Sequence, residues 1–86
     1  MTETIETILL TNLFYFEHNR FARNEDFILA RRRKAIAFLD EDLKELKAID
    51  ERLAQDYQET ISYLEAISDE SYQALKEEII DSVDVD

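Results

Sequence analysis

Apolar side chains recur at helical spacing along almost the whole chain. Ile5, Leu9, Leu13 and Phe16 form one stripe, flanked by Leu10 with Phe14 and by Ile8 with Tyr15. Only Glu3, Thr7 and Thr11 make a clearly polar line. The spacing predicts a first helix over residues 4–18, capped by Thr2, with Glu3 and Glu6 near the positive end of its dipole. A helix this apolar would leave a large patch in water if it rested on one neighbour, so it needs cover on two sides.

The next boundary lies in HNRFARNED, where Asn24 is a good N-cap and Glu25 and Asp26 fill the first turn. From there the pattern runs without a breaker to Ile67, predicting a helix over residues 25–67, roughly 60 Å long at 1.5 Å per residue. A heptad repeat is legible in it. Its first seam position holds Leu29, Ile36, Leu43, Asp50, Tyr57 and Leu64; its second holds Arg32, Leu39, Leu46, Leu53, Thr60 and Ile67. Ile49 and Ile61 widen the stripe. Ser68 reads as a fresh N-cap, followed by a third helix over 69–82 with Tyr72, Leu75, Ile79 and Val83 on one face and a frayed acidic tail over 83–86.

Composition sharpens the fold class. Gly and Pro are both absent, and no Asn-Gly or Asp-Gly pair exists to turn a β-hairpin. Few chain reversals mean few, long elements. The expectation is an all-α single domain, residues 1–86, with one long central helix and a shorter helix on either side, of helical-bundle or coiled-coil type. The longest apolar runs, Ile8–Leu10 and Leu13–Phe16, fall far short of a membrane span, and Glu3 and Glu6 replace the positive start of a secretory signal. Cysteine is absent too, which removes disulfides and thiolate chemistry and fits a cytoplasmic protein.

Charge changes the picture again. The formal net charge is -11, yet residues 20–34 carry six cations against two acids, while residues 54–86 carry ten acids and only Lys76. Arg31, Arg32, Arg33 and Lys34 would ring a helix rather than line one side of it. That geometry, with the field of the whole molecule, argues against direct nucleic-acid binding and for cations that answer the protein's own acids. Arg32 and Asp50 both fall on the heptad seam. Two copies of the long helix, paired antiparallel about residue 41, would place Arg32 opposite Asp50, with Leu29 on Leu53, Ile36 on Leu46 and Leu39 on Leu43. The competing reading has Arg32 reaching out to solvent and Asp50 marking a kink or exposed turn.

Candidate chemistry is sparse. His18 is the only histidine and lacks the Glu three residues earlier that a carboxylate metal site in a helical bundle uses; at a helix C-terminus it serves the last carbonyls. Neighbouring acids such as Asp40, Glu41 and Asp42 lack the spacing of a calcium loop. Without glycine there is no phosphate-cradling turn. No catalytic residue, metal or cofactor is therefore assigned. The aromatics Phe14, Tyr15, Phe16, Phe21 and Phe27 divide between core and partner anchor. The functional expectation is a non-enzymatic acidic protein that binds and inhibits or regulates a basic target through Glu65, Asp69, Glu70, Glu77 and Glu78, with mimicry of nucleic acid in a nuclease channel as its concrete form. The alternative is a coiled-coil homodimer serving as scaffold, adaptor or antitoxin-like interaction module.

Overall fold

A computed structural model describes residues 3–83. Thr2 and residues 84–86, to which a cap and a frayed tail were assigned above, lie outside the described residues. The chain order is α1 (Glu3–Leu13), β1 (Phe14–Glu17), β2 (Arg20–Arg23), α2 (Glu25–Leu29), α3 (Arg32–Ile49), α4 (Glu51–Ala66) and α5 (Asp69–Ser82). The protein is mostly helical, but the described residues form five helices where three were expected, together with a small antiparallel hairpin. Its extents are 34 × 32 × 22 Å, which a 60 Å rod cannot occupy.

The long helix is broken twice. At Ala30 and Arg31 the backbone turns extended, with ψ of 135° and 170°, and separates α2 from α3. At Asp50 (φ -145°, ψ 92°) a single extended residue ends α3 and opens α4. Asp50 itself is fully engaged at that corner. The Asp50 N–H donates to the Leu46 carbonyl at 2.8 Å, its carbonyl accepts from the Ala54 N–H at 2.9 Å, and its carboxylate accepts from the Leu53 N–H at 3.1 Å. Because φ stays negative, the corner requires no glycine.

Folding at Asp50 lays α4 back along α3. Arg32, at the start of α3, donates through Nη1 to the carbonyl of Leu64 near the end of α4, at 3.1 Å. The heptad stripe is thereby covered within one chain. Leu39, Leu43, Tyr57, Thr60 and Leu64 are buried, and Ile36, Leu46, Leu53 and Ile67 are partly so. Leu29 (76% exposed) and Ile49 (80% exposed), which the repeat placed on or beside the seam, instead face solvent at the two breaks. The antiparallel pairing of two long helices with Arg32 opposite Asp50 is corrected accordingly. Arg32 Nε holds Asp69 Oδ1 of its own chain at 2.8 Å, and Asp50 caps α4.

Helix α1 lies across α4 and α5, burying Ile5, Ile8, Leu9 and Leu13. The two-sided cover that its apolar faces demand is met by those helices and by α2. Asn12 Nδ2 joins α1 to α4 by donating to the Tyr57 hydroxyl at 3.2 Å. The first helix stops at Leu13, five residues earlier than its stripe predicts, because Phe14 to Arg23 form the hairpin. Its turn residues, His18 and Asn19, both adopt positive φ (52° and 62°). Asn and His are among the non-glycine residues that tolerate this region, which is how a two-residue turn forms without glycine. His18 therefore sits in a β-turn, not at a helix C-terminus.

Lys76 is buried at 4% exposure, and its Nζ donates to the Ala30 carbonyl at 3.0 Å, tying α5 to the α2–α3 joint. Ser68 accepts from the Ser71 N–H and caps α5. Asn24, expected to cap the next helix through its side chain, makes no such bond; its Nδ2 donates to the Asn12 carbonyl at 2.8 Å, bracing the hairpin base.

Two measurements check this architecture. Asp50→Ala lowers unfolding free energy by about 1 kcal/mol in urea titration, while Asp50→Asn keeps most of it, as expected of an N-cap. Arg32→Met costs about 2 kcal/mol, because a part-buried carbonyl loses its charged donor. Asp69→Asn costs less than about 1 kcal/mol, because that carboxylate is largely solvated.

Candidate protein-binding surfaces

Two surfaces are left unexplained by the fold. The first is acidic. Glu65 stands in the last turn of α4, Asp69 and Glu70 in the first turn of α5, and Glu77 and Glu78 two turns further along it, all exposed. Their local roles differ. Asp69 and Glu70 sit where the helix dipole favours acids, and Asp69 holds Arg32. Glu77 accepts from Gln73 Nε2 at 3.3 Å. Glu65 opposes the dipole of its own helix, as does Asp81 in the last turn of α5, and neither helix has a cation in its last turn. Among the described residues, only Asp69 of the five expected binding carboxylates enters an ion pair. Lys76 would be the neutralising cation, but it is turned inward to Ala30. Glu65, Asp69 and Glu70 are thus gathered around the α4–α5 corner, with Glu77 and Glu78 further along α5.

The cation block is divided among separate duties. Arg32 pins α3 to the α4–α5 corner, and Lys34 Nζ lies 5.0 Å from the centre of the Phe38 ring. Arg31 and Arg33 are exposed. Of the four, Arg32 alone forms an ion pair with one of the chain's own described acids, a smaller share than the charge balance implied.

The second surface is the hairpin, whose first strand periodicity assigned to helix. Phe14 pairs with Arg23, Tyr15 with Ala22, Phe16 with Phe21 and Glu17 with Arg20. Alternation puts Phe14, Phe16, Phe21 and Arg23 on one side and Tyr15, Glu17, Arg20 and Ala22 on the other. Phe14 is buried at the base, as is Phe27 of α2, whereas Phe16 (64%) and Phe21 (45%) project into solvent, edge to face at 5.5 Å. Phe14, Tyr15 and Phe16 before a polar His-Asn pair, with Phe21 after it, were the available signal for this hairpin.

Among the described residues, no group of three His, Cys, Asp or Glu is placed to hold a metal ion, and no helix is long and apolar enough to cross a membrane. Asp42 is pushed above the usual carboxylate range, first by partial burial and then by Glu45 and Glu41.

Tyr72 and Lys76 carry the pH dependence of the core. The Tyr72 hydroxyl is buried without a hydrogen-bond partner, and burial pushes its pKa up to about 12 from an ordinary 10.0. Burial pulls Lys76 below its ordinary 10.5, with Glu77 acting in the opposite sense. The signs differ. Between its lowered folded value and 10.5, Lys76 binds more protons when unfolded, so its contribution to stability rises with pH. Tyr72 stays protonated when folded, so its contribution falls as pH climbs from 10 to about 12. Tyr72→Phe is expected to raise stability at neutral pH by about 1 kcal/mol and to flatten the alkaline loss, both read from denaturation across pH.

No family model matches the chain, and neither a curated protein nor a solved structure matches it.

Proposed function

We propose that this is a non-enzymatic acidic helical protein that binds a basic macromolecular target and inhibits or regulates it. The carrying observation is the inward turn of Lys76, which turns away from the exposed acids of residues 54–82 the one cation that this stretch of chain encodes. Glu65, Asp69, Glu70, Glu77 and Glu78 then present carboxylates on a rigid helical frame. Acids against a helix dipole cost stability locally, and such departures from local preference concentrate at functional positions. A field of this sign steers association with a basic surface, and the nucleic-acid channel of a nuclease is its most concrete form.

A second reading, an adaptor or antitoxin-like interaction module, has to use another surface than the heptad seam, because that seam is spent inside the chain. The projecting hairpin aromatics are what favour it.

The test of the first reading is a pull-down from the native cell on the immobilised full chain, at low and then high ionic strength. The expected result is a basic protein retained only at low salt and displaced by added polyanion. Replacing Glu65, Glu70, Glu77 and Glu78 by Gln, with Asp69 kept to preserve its bond to Arg32, should weaken that binding at least about tenfold while the circular dichroism spectrum is unchanged. Equal affinity of the variant would overturn the carboxylate reading.

A further inference from the structure

The corner at Asp50 divides the chain into two halves whose core lies largely between them. Helices α4 and α5 pack on α1 and α3, and the polar ties run the same way: Asn12 to Tyr57, Lys76 to Ala30, and Arg32 to Leu64 and Asp69. Each of these joins a residue before the corner to one after it. The link itself is a single residue, where antiparallel helices are ordinarily joined by about two to five. Contacts that cross one short hinge can be made equally well between two chains that exchange their halves.

The sequence around the hinge suits the exchanged form. The heptad continues through Asp50 without a change of phase, with Leu43, Asp50 and Tyr57 in one position and Leu46, Leu53 and Thr60 in the other. Two helices joined by a corner owe each other no common phase, whereas one straight helix imposes it. Straightening Asp50 would also join the carbonyls of Lys47, Ala48 and Ile49, at the end of α3, to the N–H groups of Glu51, Arg52 and Leu53. No glycine or proline opposes a continuous helix there.

Ile49 points to a second copy as the occupant. Of the large apolar side chains described, it is the most exposed. Arg32 meets Leu64, and Leu43 and Ala54 line one groove; halfway between the members of each pair stands residue 48 or 49. Two straightened chains that keep these contacts cross on a twofold axis at that point, which brings Ile49 of each beside the other. Charge does not oppose the crossing. Residues 44–53 hold Lys44, Lys47 and Arg52 against Glu45, Asp50 and Glu51, a balance of zero in a chain of -11.

We propose that the chain has a second, exchanged state: an antiparallel homodimer in which α3 and α4 fuse through Asp50 and each copy's α4 and α5 pack on α1 and α3 of the other. The twofold axis passes near Ile49. Arg32 keeps Leu64 and Asp69, now of the other copy, so the register is not the Arg32–Asp50 pairing corrected above. Exchange needs the two halves to separate, so it requires the chain to unfold, and the two states interconvert slowly. The dimer carries two carboxylate surfaces but does not depend on what they bind.

The experiment unfolds the full chain in urea, refolds it over a range of protein concentrations in low and high salt, and weighs the products by size-exclusion chromatography with light scattering. The expected result is monomer at low concentration and a growing share of a species of twice that mass at high concentration. High salt raises that share by screening the repulsion between acidic copies. Asp50→Ala removes the N-caps that two closed chains would lose on pairing, and is expected to raise the dimerisation constant at least about thirtyfold. A Gly-Ser-Gly insertion after Asp50 relaxes the corner and should return the chain to monomer. Ile49→Lys should weaken the dimer at least about tenfold while leaving the thermal unfolding of the monomer unchanged.

Complementation separates exchange from side-by-side association. Leu39→Asp and Leu64→Asp each put a charge into the core, one in either half, and each alone is expected to leave the chain unfolded. Refolded together, the two variants should regain helical signal at the mass of a dimer, because one of its two cores is free of both changes. A chain that stays monomeric at every concentration, as wild type and as Asp50→Ala, would overturn the proposal. So would a dimer indifferent to the insertion or to Ile49→Lys, or a mixture of the two core variants that stays unfolded.

Discussion

The fold depends on the burial of one apolar stripe against itself. Leu39 and Leu43 on α3 and Tyr57, Ile61 and Leu64 on α4 belong to a single periodic pattern, and the chain doubles over to bring its two halves together. Two short pieces of helix meeting in this way remove apolar surface from water without a second molecule. Everything else is placed relative to that helical pair. Helix α1 crosses α4, α5 closes against α1 and α3, and the hairpin projects from the end of α1.

Polar ties then determine how the remaining pieces sit. Arg32 and Lys76 come from the two ends of the sequence separation that α5 must bridge, and both act on backbone carbonyls left over at helix ends, those of Leu64 and Ala30. A charged donor on such a carbonyl satisfies a group that would otherwise be stranded. The Tyr72 hydroxyl beside them has no such arrangement, and the core holds it at some cost. Cations that looked like a surface feature in the sequence are partly internal fastenings.

The helical class was legible because the periodicity is sustained, and the start of α5 was legible because Ser68 is followed by Asp69 and Glu70. The corner at Asp50 was legible only as a competing reading, for a physical reason: one residue in the extended region with negative φ suffices, and that region is open to every residue. The heptad count drew Asp50 onto the seam, and the competing reading, a kink or exposed turn at that residue, is the one the backbone shows. The hairpin was missed because the absence of glycine was read as the absence of tight turns, whereas His18 and Asn19 adopt positive φ themselves. Among the candidate binding residues, exposure of Glu65, Asp69, Glu70, Glu77 and Glu78 follows from the polar face of the pattern. That Asp69 is already engaged by Arg32 required the fold, because 37 residues separate them. Phe16 shares a helical stripe with core residues Ile5, Leu9 and Leu13, so periodicity alone assigns it inward, and Phe21 fell in the boundary between the first two expected helices.

The burial of Lys76 also makes the protein a reporter of its own breathing. Lys34, Lys44 and Lys47 stand in solvent, where an amine reagent reaches them at once, but the Lys76 amine lies under α5 against Ala30. Acylation of that one side chain has to wait until the last helix lifts away. Its labelling rate relative to the other three therefore reads how often that helix opens, with no engineered label.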